Sequence, residues 1–409
     1  MRWRLLLSAA VALGFGLAGA RATGPMSRAE QFHRVRLMTD IGRLAFRDPT
    51  LSGSGRLSCA SCHSPAHRFG PPNARAVQLG GDDLRQPGFR AVPSLTYMQA
   101  SPPFTEHYFD SDDEGDESID NGPTGGLTWD GRVDRGADQA RIPLLSPFEM
   151  ANAGSARIAA KARRAAYAPM LREAFGADVF DDPNRTFDAV AKTLEVYEQD
   201  AAEFYPYSSK YDAVLAGRAI LTKQEARGLA LFDDPAKGNC AQCHLSARAA
   251  DGTPPQFTDY GFIALGVPRN RAIPANADPS WFDLGLCGPL RTDFKGRDAY
   301  CGLFMTPSLR NVATRRVFFH NGLYHDLRHV LDFYAARDSD PKRFYPHDAD
   351  GHVRAYDDLP AQYRANLNTD PPFGRRDRPA LSGHEIDDII AFLGTLTDGY
   401  DVRKGTPRP

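Results

Sequence analysis

At 409 residues, 42% hydrophobic and 24% charged, the chain has a globular composition and the length for two or three domains with cores of their own. A formal net charge of -2 at pH 7 leaves no electrostatic footprint for nucleic acid, so that class of partner is excluded. Beyond the N-terminus no long apolar run exists, which excludes a multi-span membrane protein.

The chain opens on Arg2 and Arg4, a short apolar core from Leu5 to Leu17, and the small residues Ala18-Gly19-Ala20. That is the pattern of a cleaved secretory signal peptide over residues 1–22, with Ala20-Arg21-Ala22 as an alternative cleavage site. Export to the periplasm without stable membrane insertion is the expectation. Residues 27–47 carry apolar positions at helical spacing: Phe32, Val35, Leu37, Ile41, Leu44 and Phe46. Ser27 and Glu30 have the spacing of a capping box, and Asp48-Pro49 ends the helix.

Next comes Cys59-Ala60-Ser61-Cys62-His63, the C-x-x-C-H pattern for covalent attachment of haem c. Two thiols three positions apart on one turn can both add to the porphyrin vinyl groups. The following His63 then offers an imidazole nitrogen to the iron. A redox dithiol or half a zinc site is the bland alternative. The pattern recurs at Cys240-Ala241-Gln242-Cys243-His244, and two copies each followed by His argue against that alternative. Two covalently bound haem c groups are therefore expected, with His63 and His244 as iron ligands.

Residues 64–108 are rich in Pro, Gly and Arg and read as loops. An acidic run spans Asp110 to Asp120. It starts like a calcium loop, but Asn121 stands where the twelfth-position Glu belongs, so a solvated loop is favoured. Helices are expected across 155–203, after a Thr222/Glu225 capping box, from near Leu327 through Tyr334, and after a Ser382/Glu385 box. The last carries the stripe Ile386, Ile389, Ile390, Phe392, Leu393 and Leu396. Strand signals are sparse.

Helix, haem motif, long loops and a closing helix occur twice. The expected fold is all-α: two cytochrome c-like haem domains, 23–215 and 216–409, packed against each other and related by internal duplication. Of the six cysteines, Cys287 and Cys301 are left over from the motifs, and a disulfide is favoured over two free thiols.

Further motifs carry a resemblance. They are Phe46-Arg47-Asp48-Pro49, Trp129-Asp130-Gly131-Arg132, Gln139, Pro147-Phe148-Glu149-Met150, Thr306-Pro307-Ser308-Leu309-Arg310-Asn311-Val312 and Phe319-His320-Asn321-Gly322. In this order they resemble the bacterial dihaem cytochrome c peroxidase and MauG family over nearly all of the mature chain. The resemblance implies that the N-terminal haem binds hydrogen peroxide and the C-terminal haem stores an oxidising equivalent. Trp129 matches the tryptophan between the haems. Gln139 and Glu149 match the polar pair on the open face of the peroxide haem, where a carboxylate can move a proton between peroxide oxygens.

Two departures point to the MauG-like and MbnH-like members. No His lies between His67 and His107, so no imidazole is expected to close the peroxide haem. Tyr334 stands where the peroxidases place a Met ligand, fourteen residues after the His of the F-H-x-G motif; Met305, His325 and His329 are the rival ligands. The resemblance then implies a bis-Fe(IV)-type oxidant acting on a partner, a tryptophan or other side chain of a protein. The alternative is peroxide reduction with a small cytochrome c or cupredoxin as electron donor. Calcium is left open, because the family's calcium-ligand positions hold Ala91 and Arg315.

Overall fold

The computed structural model describes residues 26–109, 120–374 and 377–407. The expected signal peptide, residues 1–22, and the acidic run apart from Asp120 lie outside the described residues. The described chain is mostly helical with little strand. In order it forms α1 (Arg28–Phe46), α2 (Cys59–Cys62), α3 (Gly136–Leu145), α4 (Ser155–Ala162), α5 (Ala168–Phe175) and α6 (Pro183–Tyr197). It continues with α7 (Ala201–Phe204), α8 (Lys210–Leu215), α9 (Lys223–Asp233), α10 (Leu327–Ala336) and α11 (Gly383–Gly394). Three antiparallel pairs of two-residue strands join Leu79–Gly80 to Gln86–Pro87, Phe262–Ile263 to Phe304–Met305 and Tyr400–Asp401 to Thr406–Pro407.

The helix starts follow local chemistry. Ser27, Thr222 and Ser382 each accept a hydrogen bond from the third helical N–H, and Glu30, Glu225 and Glu385 reciprocate. The apolar stripe expected on α1 is only half right. Ile41, Ala45 and Phe46 are buried, whereas Phe32, Val35 and Leu44 are exposed. Full burial is confined to the last two turns, where Leu44 turns outward, so the stripe meets the core along only part of its length.

Two crossings build two cores. Gly42 of α1 lies so close to α6 that an added Cβ would stand 2.0 Å from Thr193 O and 2.6 Å from Tyr197 Cβ. Gly228 of α9 meets α11 in the same way, 2.0 Å from Asp388 O and 2.8 Å from Phe392 Cβ. One turn on, Phe46 packs edge-on against Tyr197 and Phe232 against Phe392. The first core gathers Ile41, Leu51, Leu144, Ile158, Leu171 and Leu194; the second gathers Phe257, Leu331, Ile386, Ile389 and Leu396. Tyr211 and Leu215, on the N-terminal side of position 216, pack in the second core.

Between the cores lies a buried polar junction. Tyr97 O–H donates to the Asp398 carboxylate at 2.9 Å, Asn311 Nδ2 donates to it at 2.8 Å, and Ser208 donates to it through both N and Oγ at 3.1 Å. Beside it, Arg310 grips Asp212 through both guanidinium ends at 2.8 and 3.0 Å. Cys287 and Cys301 are joined as a disulfide, as expected.

The glycine crossing gives a paired prediction. Gly228→Ala should destabilise the holoprotein by roughly 1–3 kcal/mol, the usual cost of forcing extra volume into a packed contact. Gly394→Ala, where nothing lies within 4 Å of the added carbon, should be neutral or slightly stabilising. Thermal unfolding of both variants checks the contrast; equal effects would remove the close crossing.

Candidate active site

The two C-x-x-C-H turns are built alike. His63 N–H donates to Cys59 O and His244 N–H to Cys240 O, both at 2.8 Å. Each imidazole donates Nδ1–H to a phenylalanine carbonyl, His63 to Phe69 at 3.2 Å and His244 to Phe257 at 2.9 Å. Both phenylalanines adopt the left-handed region, with φ 53° and 54°. The same carbonyls also accept from Leu95 and Leu309 N–H, at 3.3 and 3.2 Å. The preceding serines donate alike, Ser94 Oγ to Arg68 O at 2.8 Å and Ser308 Oγ to Gln256 O at 2.6 Å. So Pro93-Ser94-Leu95 and Pro307-Ser308-Leu309 form the same hydrogen-bonded cradle at the two motifs.

Both motifs open into one continuous cavity of about 560 Å³. Burial lowers the pKa of His63 and His244 to about 4, so both stay neutral with Nδ1 committed and Nε2 free as a ligand atom. Burial pushes the thiols up, Cys59, Cys240 and Cys243 to about 12 and Cys62 to about 11. A reactive dithiol needs the opposite shift. Among the described residues the motif side chains do not converge on a point as zinc ligands would; only the exposed Asp348, Asp350 and His352 do.

Gln139 and Glu149 line the cavity on the side of the first motif. Gln139 stands on the first turn of α3, whose start runs tight against α6: a Cβ on Gly136 would sit 3.0 Å from Glu195 Cγ. Glu149 follows the turn after α3 and is clamped by backbone, its carbonyl accepting from Gly81 N–H at 2.8 Å. A side chain at Gly80 would collide with Phe148 O at 2.4 Å. Burial raises the Glu149 pKa against the opposing pull of Ser146 and Arg132. Ser146 Oγ has no other partner.

Of the imidazoles from His67 to His107, only His67 lines the cavity among the described residues. His67 lines it, but its Nδ1 is held by Ser64 Oγ at 3.1 Å next to the motif itself. His107 is exposed and paired with Asp120 at 2.6 Å.

At the second motif Tyr334, on α10, lines the cavity, and burial together with the nearby Cys243 and Cys240 sulfurs raises its pKa. Phe319 and Phe373 flank its ring. His325 and His329 are exposed and occupied, by Arg316 O at 3.1 Å and Asp326 Oδ2 at 2.6 Å, and neither lines the cavity. Met305 does line it, but its backbone is tied to Trp129, N–H to O at 3.0 Å.

Trp129 lines the cavity and is tied to Ala91 on one side and Met305 on the other. Its Nε1–H donates to Ala91 O at 2.8 Å. The next residue, Asp130, is fully buried and holds this segment. It accepts from Arg90 at 2.7 Å, from Arg132 at 2.8 and 2.9 Å, and from Thr128 Oγ1 at 2.6 Å. Arg90 also grips Asp283 with Nε and Nη2 at 2.6 and 2.7 Å. Burial alone would raise the Asp130 pKa; Arg90 and Arg132 override it and hold it low.

Comparison with known proteins decides the family. The profile described as "Di-haem cytochrome c peroxidase" (CCP_MauG) matches residues 37–219. The methylamine utilization protein MauG of Paracoccus denitrificans (strain Pd 1222) is 33% identical over 376 residues, 88% of each chain. The chain belongs to the di-haem cytochrome c peroxidase/MauG family. Among solved structures of this family's kind, the diheme peroxidase BthA of Burkholderia thailandensis E264 is 38% identical over 91% of this chain and 90% of that one, with a TM-score of 0.77. Its tyrosine-to-methionine variant gives 0.79. A MauG-like protein associated with microbial copper homeostasis is 25% identical over 92% and 91%, with a TM-score of 0.61.

Membership in a di-haem family implies haem cofactors, and the residues fit them. The cavity is walled by both motifs, both imidazoles are preset as Nε2 ligands, and the buried Gln99 Oε1 on its wall has no partner. Cys59, Cys62 and His63 would hold one group, and Cys240, Cys243 and His244 the other. At the two family calcium positions, the Ala91 carbonyl already accepts from Trp129, and the Arg315 guanidinium donates to Val92 O at 3.1 Å, its pKa lowered to about 10 by burial. The Arg90–Asp283 pair was missed in the sequence. Its partners lie far apart in the chain, and only the Asp130-Gly131-Arg132 letters hinted at an ion-pair centre.

Removing Asp130 leaves buried guanidinium groups without their anion. Asp130→Ala should cost roughly 3–5 kcal/mol of stability in the holoprotein, as breaking a buried pair does. Chemical unfolding measures it. A cost below about 1 kcal/mol would mean that the carboxylate behaves as a surface pair.

Proposed function

We propose that this chain is a periplasmic enzyme with two covalently attached haem c groups, one in an N-terminal and one in a C-terminal cytochrome c-like domain. It takes hydrogen peroxide as oxidant and a protein partner as reductant, the oxidised group being a tryptophan or other side chain of that partner. The observation that carries this reading is Trp129 in the wall of one cavity, with Gln139 and Glu149 toward the first motif and Tyr334 at the second. Exact placement of the domain junction favours a point before Tyr211, since that residue packs in the second core.

Bound haem would supply an iron for peroxide at the first motif and a source of electrons at the second. The chain's own residues do the rest. His63 and His244 present Nε2, each kept in one tautomer by a phenylalanine carbonyl. Glu149 takes a proton from one peroxide oxygen and returns it to the other, a task suited to a carboxyl whose pKa burial has raised. Gln139 orients peroxide without adding charge. His107 is exposed and paired with Asp120, which keeps that imidazole from competing with peroxide. Trp129 is placed to relay an electron between the two ends, and Tyr334 would hold the second iron through its phenol oxygen, a hard ligand. The Arg315 guanidinium occupies a place where a calcium ligand would stand, so no calcium is included in this reading.

The relatives favour one second reading. BthA, at 38% identity, carries the name of a peroxidase. Plain peroxide removal with a small cytochrome c or cupredoxin as donor would use the same residues, and steady turnover with reduced cytochrome c distinguishes it.

The test of the main reading is Trp129→Phe, mixed with one equivalent of peroxide and followed by stopped-flow absorbance. Peroxide consumption at the first haem should stay within about threefold of wild type. Oxidation of the second haem should slow by more than about tenfold. An unchanged second-haem rate would make Trp129 a core aromatic only. In parallel, Tyr334→Met should change the spectrum of the second haem alone; no change would pass the ligand role to Met305.

A further inference from the structure

One acid in the first half of the cavity has no part in the steps above. Glu198 caps the C-terminal end of α6, its backbone N–H donating to Leu194 O and Val196 O. Its side chain lines the cavity with Cys59, Gln139 and Glu149, and makes no hydrogen bond or ion pair to any described residue. Gln199, the next residue, also lines the cavity and is exposed. Glu198 therefore stands where the first site meets solvent.

The charges around it are already committed. Glu195, one turn back, is paired with Lys192 at 2.5 Å and Arg135 at 3.7 Å. On α1, Arg43 and Arg47 are taken by Asp40, Asp200 and Glu203. On α3, Arg141 pairs with Asp138 and Asp188, and on α4 Lys161 turns to Asn152. Cys59 of α2 lies within the field of both Glu198 and Glu149. Among the described residues no cation is paired with Glu198. Burial, and then Glu195, raise its pKa to about 8. The negative end of the α6 dipole acts in the same sense. That shift favours the uncharged acid at neutral pH.

Peroxide reduction requires such a group. One peroxide, two electrons and two protons give two waters: the O–O bond breaks and two O–H bonds are added. Glu149, moving a proton from one oxygen to the other, consumes none. Both protons must therefore enter from solvent as the reductant supplies its two electrons. We propose that Glu198 is the residue through which these protons enter the first site, giving up its carboxyl proton toward the Gln139–Glu149 end and regaining one from solvent beside Gln199. It acts on peroxide across that end of the cavity and not by touching it, so it is a proton-supplying residue beside the catalytic pair. The inference rests on the first motif being the peroxide site.

The test uses the holoprotein, its Glu198→Gln and Glu198→Asp variants, one equivalent of peroxide, and ascorbate with a redox mediator as electron donor. In Glu198→Gln the reaction with peroxide should slow by no more than about twofold. The return to the starting state under ascorbate should slow about tenfold or more, with partial recovery in Glu198→Asp and on adding a small weak acid. In wild type the return rate should fall as pH rises through about 8, where the acid loses its proton, and that leg should vanish in Glu198→Gln. An unchanged return rate, an unchanged pH leg, or equal slowing of both steps overturns the inference. Should Glu198→Gln not retain haem, the wild type and Glu198→Asp decide: a wild-type return rate with no fall near pH 8 overturns it. Wild-type protein that consumes no peroxide would instead refute the reading of the first site.

Discussion

The Asp130 carboxylate holds the centre of this molecule. It is fully buried, and desolvating a carboxylate is costly unless cations and donors surround it. Arg90, Arg132 and Thr128 do so, and Arg90 passes the constraint on to Asp283, far along the chain. The residue just before this centre is Trp129. An indole that is to lie at a set place between two sites needs a backbone that cannot drift. Asp130 below it, Ala91 O at its ring nitrogen and Met305 at its carbonyl supply that rigidity. The ends of the cavity then differ in chemistry, with acids and an amide at one and a phenol at the other, while the wall between them is held from both halves.

Around this centre the architecture repeats itself. Each half crosses two helices at a glycine, follows with a phenylalanine one turn on, and seats a histidine on the carbonyl of a left-handed phenylalanine. A bulky residue at positive φ is strained, and it persists only where its surroundings demand it. Here the demand is plain: the carbonyl must face the imidazole Nδ1 and a leucine N–H at once. Two such residues, Phe69 and Phe257, stand in the same relation to two motifs, so one local solution serves both.

How much of this was legible depended on range. The capping boxes at Ser27, Thr222 and Ser382 were readable because both partners lie three residues apart. The two C-x-x-C-H motifs were readable because their defining residues are contiguous. The stripe on α1 misled at Phe32, Val35 and Leu44, since periodicity states that a helix has an apolar face and not how much of it finds a partner. The repeat Gly42-x-x-x-Phe46 and Gly228-x-x-x-Phe232 was present in the letters, but two common residues four apart mean nothing until the crossing helices are seen. Arg90 with Asp283, and Glu198 at the cavity wall, were invisible for the same reason: their roles come from residues distant in sequence.

Asp398 has a consequence for the order of assembly. It follows the last helix and binds Tyr97 and Asn311, the corresponding left-handed residues of the two cradles. Synthesis runs from N- to C-terminus, so both C-x-x-C-H motifs emerge well before the residue that ties their halves together. The Asp398 carboxylate finds its donors only once Tyr97, Ser208 and Asn311 are all in place, so a single buried anion makes the folding of each half a condition for satisfying the other.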